Sequence, residues 1–221
     1  RGAGGSGPRR HQQWMSAFLP DEQSRLLTPD VDRAGGPDPL SPVDLRAANG
    51  PAKERRDRLM DFYARFFMAG EVLVKVDRAS SAVGLEVRAP LLDTEIVSFA
   101  CLLPPSLRRQ GRVSKRVLKA ALRGRVPDEI LLRKKQGFAM PVAAWLKGEL
   151  EGLLRETLAE HRLRQDGFFD PREVTRLIDD HTSGRRDRRK QLWTLLTFQR
   201  WLDAWGPGRS ASSEPAARLA S

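Results

Sequence analysis

The chain has 221 residues, of which 40% are hydrophobic and 30% are charged, and its formal net charge is +11. This composition is typical of a soluble globular protein, and no apolar run reaches the ~18 residues that a membrane-spanning helix needs. The basic excess leaves three options open: a nucleic-acid surface, a pocket for phosphates, or solvated basic faces on a protein with another role.

The chain opens on Arg1 without an initiator methionine or an apolar leader. We therefore expect no secretory signal, and instead a fragment, a processed chain or an incomplete gene model. The single cysteine, Cys101, excludes an internal disulfide and fits a reducing cytoplasm. It lies in an apolar run, so it is predicted to be a buried structural thiol. The three histidines lack metal-ligand spacing, so no metal site is predicted.

Composition divides the chain into four predicted segments. Residues 1–12 are rich in Gly, Pro and Arg and are predicted to be disordered. Residues 13–52 are predicted to hold part of a helix followed by a linker. The main body is predicted over residues 53–206, and the small, polar residues 207–221 are predicted to form a disordered tail.

The first half of the body shows helical patterns separated by turn signals. An apolar stripe predicts a helix from residue 53, and Gly70 is expected to interrupt it. A second helix is predicted over residues 72–84, followed by an extended segment over residues 85–90. Asp93 is expected to cap a helix that stops at Pro104, and short helices are predicted over residues 114–122 and from Pro127.

The second half ends in two predicted helices. The run from Asp170 to Glu173 combines a capping Asp, a Pro at the first helical position and a Glu in the first turn, which together predict a helix start. His181 is expected to be a packing or helix-end residue. The tryptophans and leucines of the last helix are predicted to form core, and the basic run 185–190 is predicted to be solvated or paired within the chain.

These patterns predict a mostly helical domain. No phosphate-binding P-loop, dinucleotide-binding or nucleophile-elbow motif occurs in the sequence. Two stretches nevertheless carry more charge than packing requires. The first places charges inside an apolar segment, which implies a polar network or a site, because buried charges are costly unless paired. Its members are Lys75, Asp77, Arg78, Glu86, Arg88 and Asp93. Helix-surface ion pairs are the alternative.

The second stretch, Arg133 to Pro141, is predicted to be a glycine-containing loop with two lysines, Lys134 and Lys135. A loop lysine can close over an anionic ligand and offset charge that develops on phosphate oxygens. An ordinary solvated lysine is the alternative.

Taken in order, these stretches resemble the synthetase domain of glutamine-dependent asparagine synthetases. That family shows a Leu-x-Lys-x-Asp-Arg-x-Ser helix, then Leu-Glu-x-Arg-x-Pro-x-Leu-Asp, a Leu-Pro-Pro step, a Gly-x-x-Lys helix and a Pro-x-x-Ile-x-x-Arg-x-Lys-x-Gly-Phe-x-x-Pro loop. The corresponding segments here are Leu73 to Ala82, Leu85 to Asp93, Leu103 to Pro105, Gly111 to Lys119, and Pro127 to Pro141. The likeness extends from about Met60 to Trp205, and Gly84 stands where the family usually has Ser.

The resemblance implies a fold, a reaction and its partners. The fold is the C-terminal helical part of an α/β pyrophosphate-loop synthetase domain. Family members use ATP and Mg²⁺ to adenylate aspartate, and ammonia from a glutaminase domain then attacks the adenylate. The family's pyrophosphate loop and its glutaminase cysteine have no counterpart in this sequence, so the chain is expected to be inactive alone. A homodimer of the full-length enzyme is one option for its assembly.

The resemblance also assigns expected roles to residues. Lys135 corresponds to the family lysine that reaches over the phosphates. Glu86 corresponds to a position that helps to orient a catalytic tyrosine in related β-lactam-forming synthetases. The residues expected to shape a substrate or phosphate network are Lys75, Asp77, Arg78, Arg88 and Lys115, the last of which could equally be an ordinary helix-surface residue.

Alternative functions remain open on the sequence alone. One is a related synthetase that forms a β-lactam or a peptide macrocycle. Another is a basic module that binds nucleic acid, although no recognised nucleic-acid motif supports it. A third is a non-catalytic remnant that packs on a partner chain through exposed apolar surface.

Overall fold

The computed structural model describes residues 7–36, 38, 40–50, 54–111, 113–134 and 140–206. The described part is mainly helical, which confirms the predicted fold class at that level. It divides into two compact units, one made of Arg1–Phe66 with Met140–Ser221 and the other of Phe67–Ala139. Within the described residues, every helix is too short or too polar to cross a membrane.

The first unit contains ten described α-helices. They are α1 (Gly7–Met15), α2 (Pro20–Leu26), α3 (Pro29–Ala34), α4 (Ser41–Asn49), α5 (Arg55–Phe62), α11 (Val142–Trp145), α12 (Glu151–Thr157), α13 (Glu160–Asp166), α14 (Pro171–Thr182) and α15 (Arg189–Trp205).

The second unit holds five described α-helices and a short hairpin. Its helices are α6 (Leu73–Ser81), α7 (Thr94–Leu102), α8 (Pro105–Arg108), α9 (Arg116–Leu122) and α10 (Asp128–Leu132), with a 3₁₀ turn at Pro90–Leu92 and an antiparallel pair, β1 (Arg109–Gln110) and β2 (Val113–Ser114). A π-helical segment, Tyr63–Val72, precedes α6. Gly70 therefore does not interrupt the helical winding as predicted, and the winding changes type instead.

The N-terminal region is more ordered than the composition predicts. α1 begins at Gly7, inside the segment predicted to be disordered, and α3 and α4 lie in the predicted linker. Long-range contacts explain the difference, because Arg9 forms ion pairs with Asp38 and Asp44. Val43 on α4 is also only 4% exposed. Residues 1–6 and 207–221, including the predicted tail, lie outside the described part of the chain.

The core of the first unit lies among α2 and α11–α15. It consists of apolar side chains between 0% and 8% exposed: Leu26, Leu146, Leu154, Leu158, Leu163, Phe169, Val174, Leu177, Ile178, Leu192, Leu195 and Leu196. Residues distant in sequence are joined here, since the Asp170 N–H donates to the Leu26 carbonyl at 2.7 Å and the Thr28 N–H donates to the Phe168 carbonyl at 3.0 Å. The predicted start of α14 is confirmed, because the Asp170 side chain accepts from the Arg172 N–H at 2.8 Å.

The long helix α15 turns its leucines inward and its tryptophans outward. Leu192 and Leu195 are at most 1% exposed, whereas Trp193, Trp201 and Trp205 are 37%, 54% and 74% exposed. The prediction that these tryptophans form core is therefore wrong. The helix has one covered face, and the leucine stripe occupies it.

The second unit lacks a buried core in its described part. None of the described residues from 67 to 134 is fully buried, and large apolar side chains such as Leu85, Phe99 and Leu102 are 61%, 56% and 84% exposed. The predicted cap of α7 is confirmed, because Asp93 Oδ1 accepts from the Glu95 N–H at 2.9 Å. Cys101 on α7 is exposed, so the prediction of a buried thiol is wrong: the apolar run around it is not covered by described residues.

Candidate functional site

The first candidate segment leaves α6 through a glycine turn. The Leu85 N–H donates to the Ser80 carbonyl at 2.9 Å, and the Gly84 N–H donates to the Ser81 carbonyl at 3.1 Å. This pair of bonds is a Schellman motif, which needs a left-handed residue after the helix. Gly84 supplies it with a φ of 67°, a conformation that glycine adopts without a steric penalty. The turn ends α6 and starts the extended segment.

The extended segment brings two of the predicted site residues together. Arg88 Nη2 lies 2.5 Å from Glu86 Oε1, and the two side chains are 83% and 73% exposed. Residues two apart in an extended chain project to the same side, which allows this pairing. An ion pair this exposed contributes little to stability. The contact therefore orients the Glu86 carboxylate and the Arg88 guanidinium without holding the fold.

The three charged residues of α6 remain on the helix surface. Lys75, Asp77 and Arg78 are all exposed. Lys75 and Arg78 are three residues apart and share a face, whereas Asp77 points elsewhere. In the described part of the chain, the predicted polar network is thus limited to the pair between Glu86 and Arg88.

Lys115 occupies a corner between a hairpin and a helix. It follows β2 directly and precedes the first residue of α9, so it stands ahead of the helix instead of on its surface. Its φ of 56° makes it the one non-glycine residue with a left-handed backbone among the described residues. Such a conformation costs a residue with a side chain roughly 1 kcal/mol or more. Its side chain is exposed. Lys115 is at least 20 residues in sequence from the other candidate site residues.

Lys135 lies among residues 135–139, which are outside the described part of the chain. The described segment that follows residue 139 contacts the first unit's core. Leu146, just after α11, is 0% exposed, and His181 Nε2 lies 3.2 Å from the Ala143 carbonyl oxygen. Residues 143–146 are therefore anchored to the core of the first unit.

His181 belongs to a buried polar cluster that sequence reasoning missed. Its side chain is 0% exposed, and its Nδ1 accepts a hydrogen bond from the Arg188 N–H at 3.1 Å. Because a backbone N–H can only donate, the ring proton lies on Nε2 and is donated to Ala143. The imidazole thus joins three parts of the chain: α14, the residue before α15, and α11. This confirms the packing role predicted for His181.

Asp180 is the second member of the cluster. Its carboxylate accepts from Arg176 at 3.0 Å and from Arg188 at 3.3 Å, and Arg185 approaches to 3.5 Å. Arg188, 9% exposed, also reaches Glu22 on α2 at 3.5 Å. The prediction that the basic run 185–190 is paired within the chain is confirmed for Arg185 and Arg188. The sequence held a signal for the cluster, since residues 173, 176 and 180 share one helix face.

A carboxylate next to the cluster has a perturbed pKa. The hydrogen bond from Arg176 lowers the pKa of Glu173, with burial opposing the shift and the nearby Arg25 and Arg188 charges adding to it. The first turn of α14 also favours the ionised form, because the helix N-terminus carries partial positive charge. These ion pairs hold α14 against the neighbouring segments, and we assign them a structural role.

An open depression lies beside α1 in the first unit. Its volume is about 480 Å³, and its lining includes Trp14, Glu22, Asp187, Arg189 and Lys190. Two of its charges neutralise each other, because Arg189 Nη2 lies 2.6 Å from Asp187 Oδ2. Burial raises the pKa of Asp187, but hydrogen bonds from the Arg189 backbone and guanidinium together lower it by more, so the net shift is downward. No residue of the predicted site lies here. The described residues also contain no group of three or more His, Cys, Asp or Glu placed to hold a metal ion.

Comparison with known proteins defines the family. The family model described as asparagine synthase matches residues 6–203. The chain therefore belongs to the asparagine synthase family, as the resemblance of its motifs predicts.

Individual relatives are similar over part of their length. Glutamine-hydrolyzing asparagine synthetase 1 of Bacillus subtilis (strain 168) is 33% identical over 135 residues, which cover 61% of this chain and 21% of the relative. Glutamine-hydrolyzing asparagine synthetase 3 of the same organism is 32% identical over 111 residues, covering 47% of this chain and 18% of the relative. The Homo sapiens glutamine-hydrolyzing asparagine synthetase is 24% identical over 187 residues, covering 78% of this chain and 32% of the relative.

The chain thus spans about a fifth to a third of the length of these relatives. No solved structure gives a significant match.

Proposed function

We propose that this chain forms the C-terminal helical part of an ATP-dependent, amide-forming ligase that converts aspartate to asparagine. The observation that carries the proposal is the family match over residues 6–203. The ordered series of motifs from Leu73 to Pro141 supports it, because these motifs resemble the synthetase domain of the family. In this proposal the domain is of the pyrophosphate-loop type, and ATP, aspartate and ammonia from a glutaminase domain are its substrates.

The exposed apolar surface of the second unit supports an incomplete domain. Leu85, Phe99 and Leu102 are each more than half exposed, although burial of such side chains is what stabilises a fold. We infer that other parts of the synthetase domain cover this surface. The charges of α6 and of the extended segment would then lie at an interior boundary, where they can act on a ligand.

The residues of this chain have distinct proposed roles. Lys135 would stabilise negative charge on the phosphates during adenylation and departure of pyrophosphate. Arg88 would position the Glu86 carboxylate through their contact at 2.5 Å. ATP and Mg²⁺ supply the adenylating chemistry in this family.

Two assays test the proposal. The purified chain alone is expected to show no aspartate-dependent ATP–pyrophosphate exchange, because its sequence contains no pyrophosphate-loop motif, and such exchange would contradict the incomplete-domain proposal. In a chimera, this chain replaces the matched segment of asparagine synthetase 1 of Bacillus subtilis. Unlike the isolated chain, the chimera is expected to catalyse aspartate-dependent ATP–pyrophosphate exchange.

In that chimera, Lys135→Ala should lower the rate about 100-fold or more, as removal of a charge-stabilising donor commonly does. The matched control is Lys134→Ala, one position earlier in the same loop, which should change the rate less than threefold. Equal effects of the two substitutions would refute the assigned role of Lys135.

A nucleic-acid function is not favoured by the structure. Within the basic run, Arg185 and Arg188 contact Asp180, and Arg189 contacts Asp187. Three of the five basic residues of this run are therefore paired with carboxylates of this chain, which offsets part of the positive charge that a phosphate backbone would contact.

A further inference from the structure

Positive charge is concentrated in one short segment of the second unit. Residues 105–125, named the basic module from here on, contain eight arginine or lysine residues and no aspartate or glutamate. They therefore contribute +8 to the formal net charge of +11. The basic members are Arg108, Arg109, Arg112, Lys115, Arg116, Lys119, Arg123 and Arg125.

The basic module folds locally, because its elements contact one another. It contains α8, the hairpin β1–β2 and α9. Arg109 lies opposite Ser114 across the hairpin. Arg116 Nη1 donates to the Ser106 carbonyl at 3.1 Å, which ties the start of α9 to α8. Cations that are distant along the segment are thereby held on one small surface.

Three of these cations form a stripe along α9. Arg116 and Lys119 lie on the helix, and Arg123 follows its last residue. They are three and four residues apart, so they share one face of the helix. At 1.5 Å per residue the stripe is about 10 Å long. Arg116 and Arg123 are exposed, and Lys119 is half-buried.

Described carboxylates do not neutralise these charges. Arg109 Nε donates to the Gly111 carbonyl at 2.8 Å, which is a neutral acceptor, as is the carbonyl that Arg116 contacts. In the part of the chain that the structure describes, six cations of the module form no ion pair: Arg109, Lys115, Arg116, Lys119, Arg123 and Arg125. The basic run 185–190 differs, because Asp180 and Asp187 pair with its arginines.

Uncompensated charge limits what can cover the module. An apolar surface packed against it would bury cations without partners, which is costly. The cover inferred for apolar side chains such as Leu102 therefore does not suit this side of the unit. Water or an anion suits it, and an anion gains from every unpaired cation that it meets.

We propose that the basic module binds condensed phosphate, the linear chain of phosphoryl groups present in tripolyphosphate and in nucleoside triphosphates. Six of its eight cations are arginines, whose planar guanidinium groups form paired hydrogen bonds with phosphate oxygens. This binding goes beyond the proposed adenylation, because it depends on phosphate charge and not on adenine.

The composition of the module indicates that it does not recognise a base. Residues 105–125 contain no aromatic residue, so the module itself offers no ring on which a base can stack. ATP, GTP and inorganic tripolyphosphate should therefore bind with similar affinity. A site built for adenylation has to distinguish ATP from tripolyphosphate, so the two kinds of binding are separable by experiment.

The length of the stripe favours a short phosphate chain over a nucleic acid. One DNA strand carries a phosphate every 3.4 Å or so along the axis, so the stripe of about 10 Å faces about three of them. Nucleic-acid-binding proteins commonly make about 6–10 phosphate contacts. Three cations in a row match a chain of three phosphoryl groups.

Isothermal titration calorimetry of the full chain with tripolyphosphate tests the proposal. The dissociation constant is expected to lie below about 1 mM in about 50 mM NaCl, and to rise at least about fivefold in about 200 mM NaCl, because salt screens exposed charges. ATP and GTP should match tripolyphosphate within about threefold, since all three present the same phosphate chain. Absence of tripolyphosphate binding, or an ATP affinity more than about tenfold above that of tripolyphosphate and GTP, would refute the proposal.

Paired substitutions locate the surface. Lys119→Gln combined with Arg123→Gln removes two cations of the stripe and should weaken tripolyphosphate binding at least about tenfold. The matched control, Arg185→Gln with Arg189→Gln, removes the same net charge from arginines that are paired with carboxylates, and it should change the affinity less than about twofold. Circular dichroism checks that both variants are folded. Equal losses in the two variants would show that total charge, and not the module, governs binding.

Two further anions test the other possible occupants. A hexaglutamate peptide that binds as tightly as tripolyphosphate would show that the module serves carboxylates, as another polypeptide segment would supply. A short DNA duplex that binds more than about tenfold tighter than tripolyphosphate at equal phosphate concentration would assign the surface to nucleic acid. Either result would overturn the proposal. Since the isolated chain is used throughout, these outcomes are independent of the exchange activity of the chimera.

Discussion

Neutralising Asp180 should destabilise the first unit of this protein. Asp180 is 8% exposed and accepts hydrogen bonds from Arg176 and Arg188. Asp180→Asn keeps the shape of the side chain and removes its charge. Arg188, 9% exposed, then keeps Glu22, 3.5 Å away, as its carboxylate partner. Breaking a buried ion pair costs about 3–5 kcal/mol. Because Arg176 retains Glu173, we expect a cost of about 2–3 kcal/mol.

Urea unfolding followed by tryptophan fluorescence measures this cost. All five tryptophans lie in the first unit, so the signal reports that unit. The matched control is Asp179→Asn, the preceding residue on α14, which is 52% exposed with its nearest described cation, Arg155, 3.9 Å away. This control should cost less than about 0.5 kcal/mol.

A double-mutant cycle with Arg188→Gln measures the interaction energy between Asp180 and Arg188 separately from the contacts that each makes with other residues. The coupling energy between Asp180 and Arg188 should exceed about 1 kcal/mol, because contacting charged residues are not independent. An Asp180→Asn protein as stable as the wild type, or a control that loses equal stability, would show that this cluster does not hold the first unit together.

Three further predictions concern the same unit. His181→Gln retains a donor near the Nε2 position, and His181→Asn retains an acceptor near Nδ1. Amide hydrogen exchange in α11 should therefore become faster only in the Asn variant, which loses the donor to the Ala143 carbonyl. Identical exchange rates in both variants would contradict the assigned tautomer. The Arg46 hydrogen bond lowers the pKa of Asp61 from 3.8 to about 2, so its stabilisation, about 1 kcal/mol after solvent screening, is present above pH 4 and lost as pH falls through 2. In Asp61→Asn, the free energy of unfolding should therefore depend less on pH between pH 4 and 2 than it does in the wild type. An unchanged pH profile would refute this contribution. Gly167 has a φ of 74° and open space around its Cβ position, so Gly167→Ala should cost about 1 kcal/mol, whereas Gly152→Ala, inside α12 with equal space, should stabilise by about 0.5 kcal/mol; changes of the same sign would refute the conformational argument.

Local signals in the sequence predicted the helices and their ends well. The cap at Asp93, the start of α14 at Asp170 and the stop of α7 before Pro104 depend on side chains and backbone within a few residues. The family was equally accessible, because its motifs are local patterns in a particular order. The candidate roles of Lys135 and Glu86 came from this resemblance, and they remain predictions.

The tertiary structure decided what the local patterns could not. The order of α1 and α4 depends on Arg9 reaching carboxylates about 30 residues away in sequence, which composition does not show. An apolar stripe predicts a helix, but burial depends on what covers each face. Leu192 is therefore core, while Trp201 on the same helix and Cys101 on α7 are exposed. Sequence alone established the helices and the family, because both depend on local order; only the packing of distant segments showed which side chains are covered, and that the cluster around Asp180 exists.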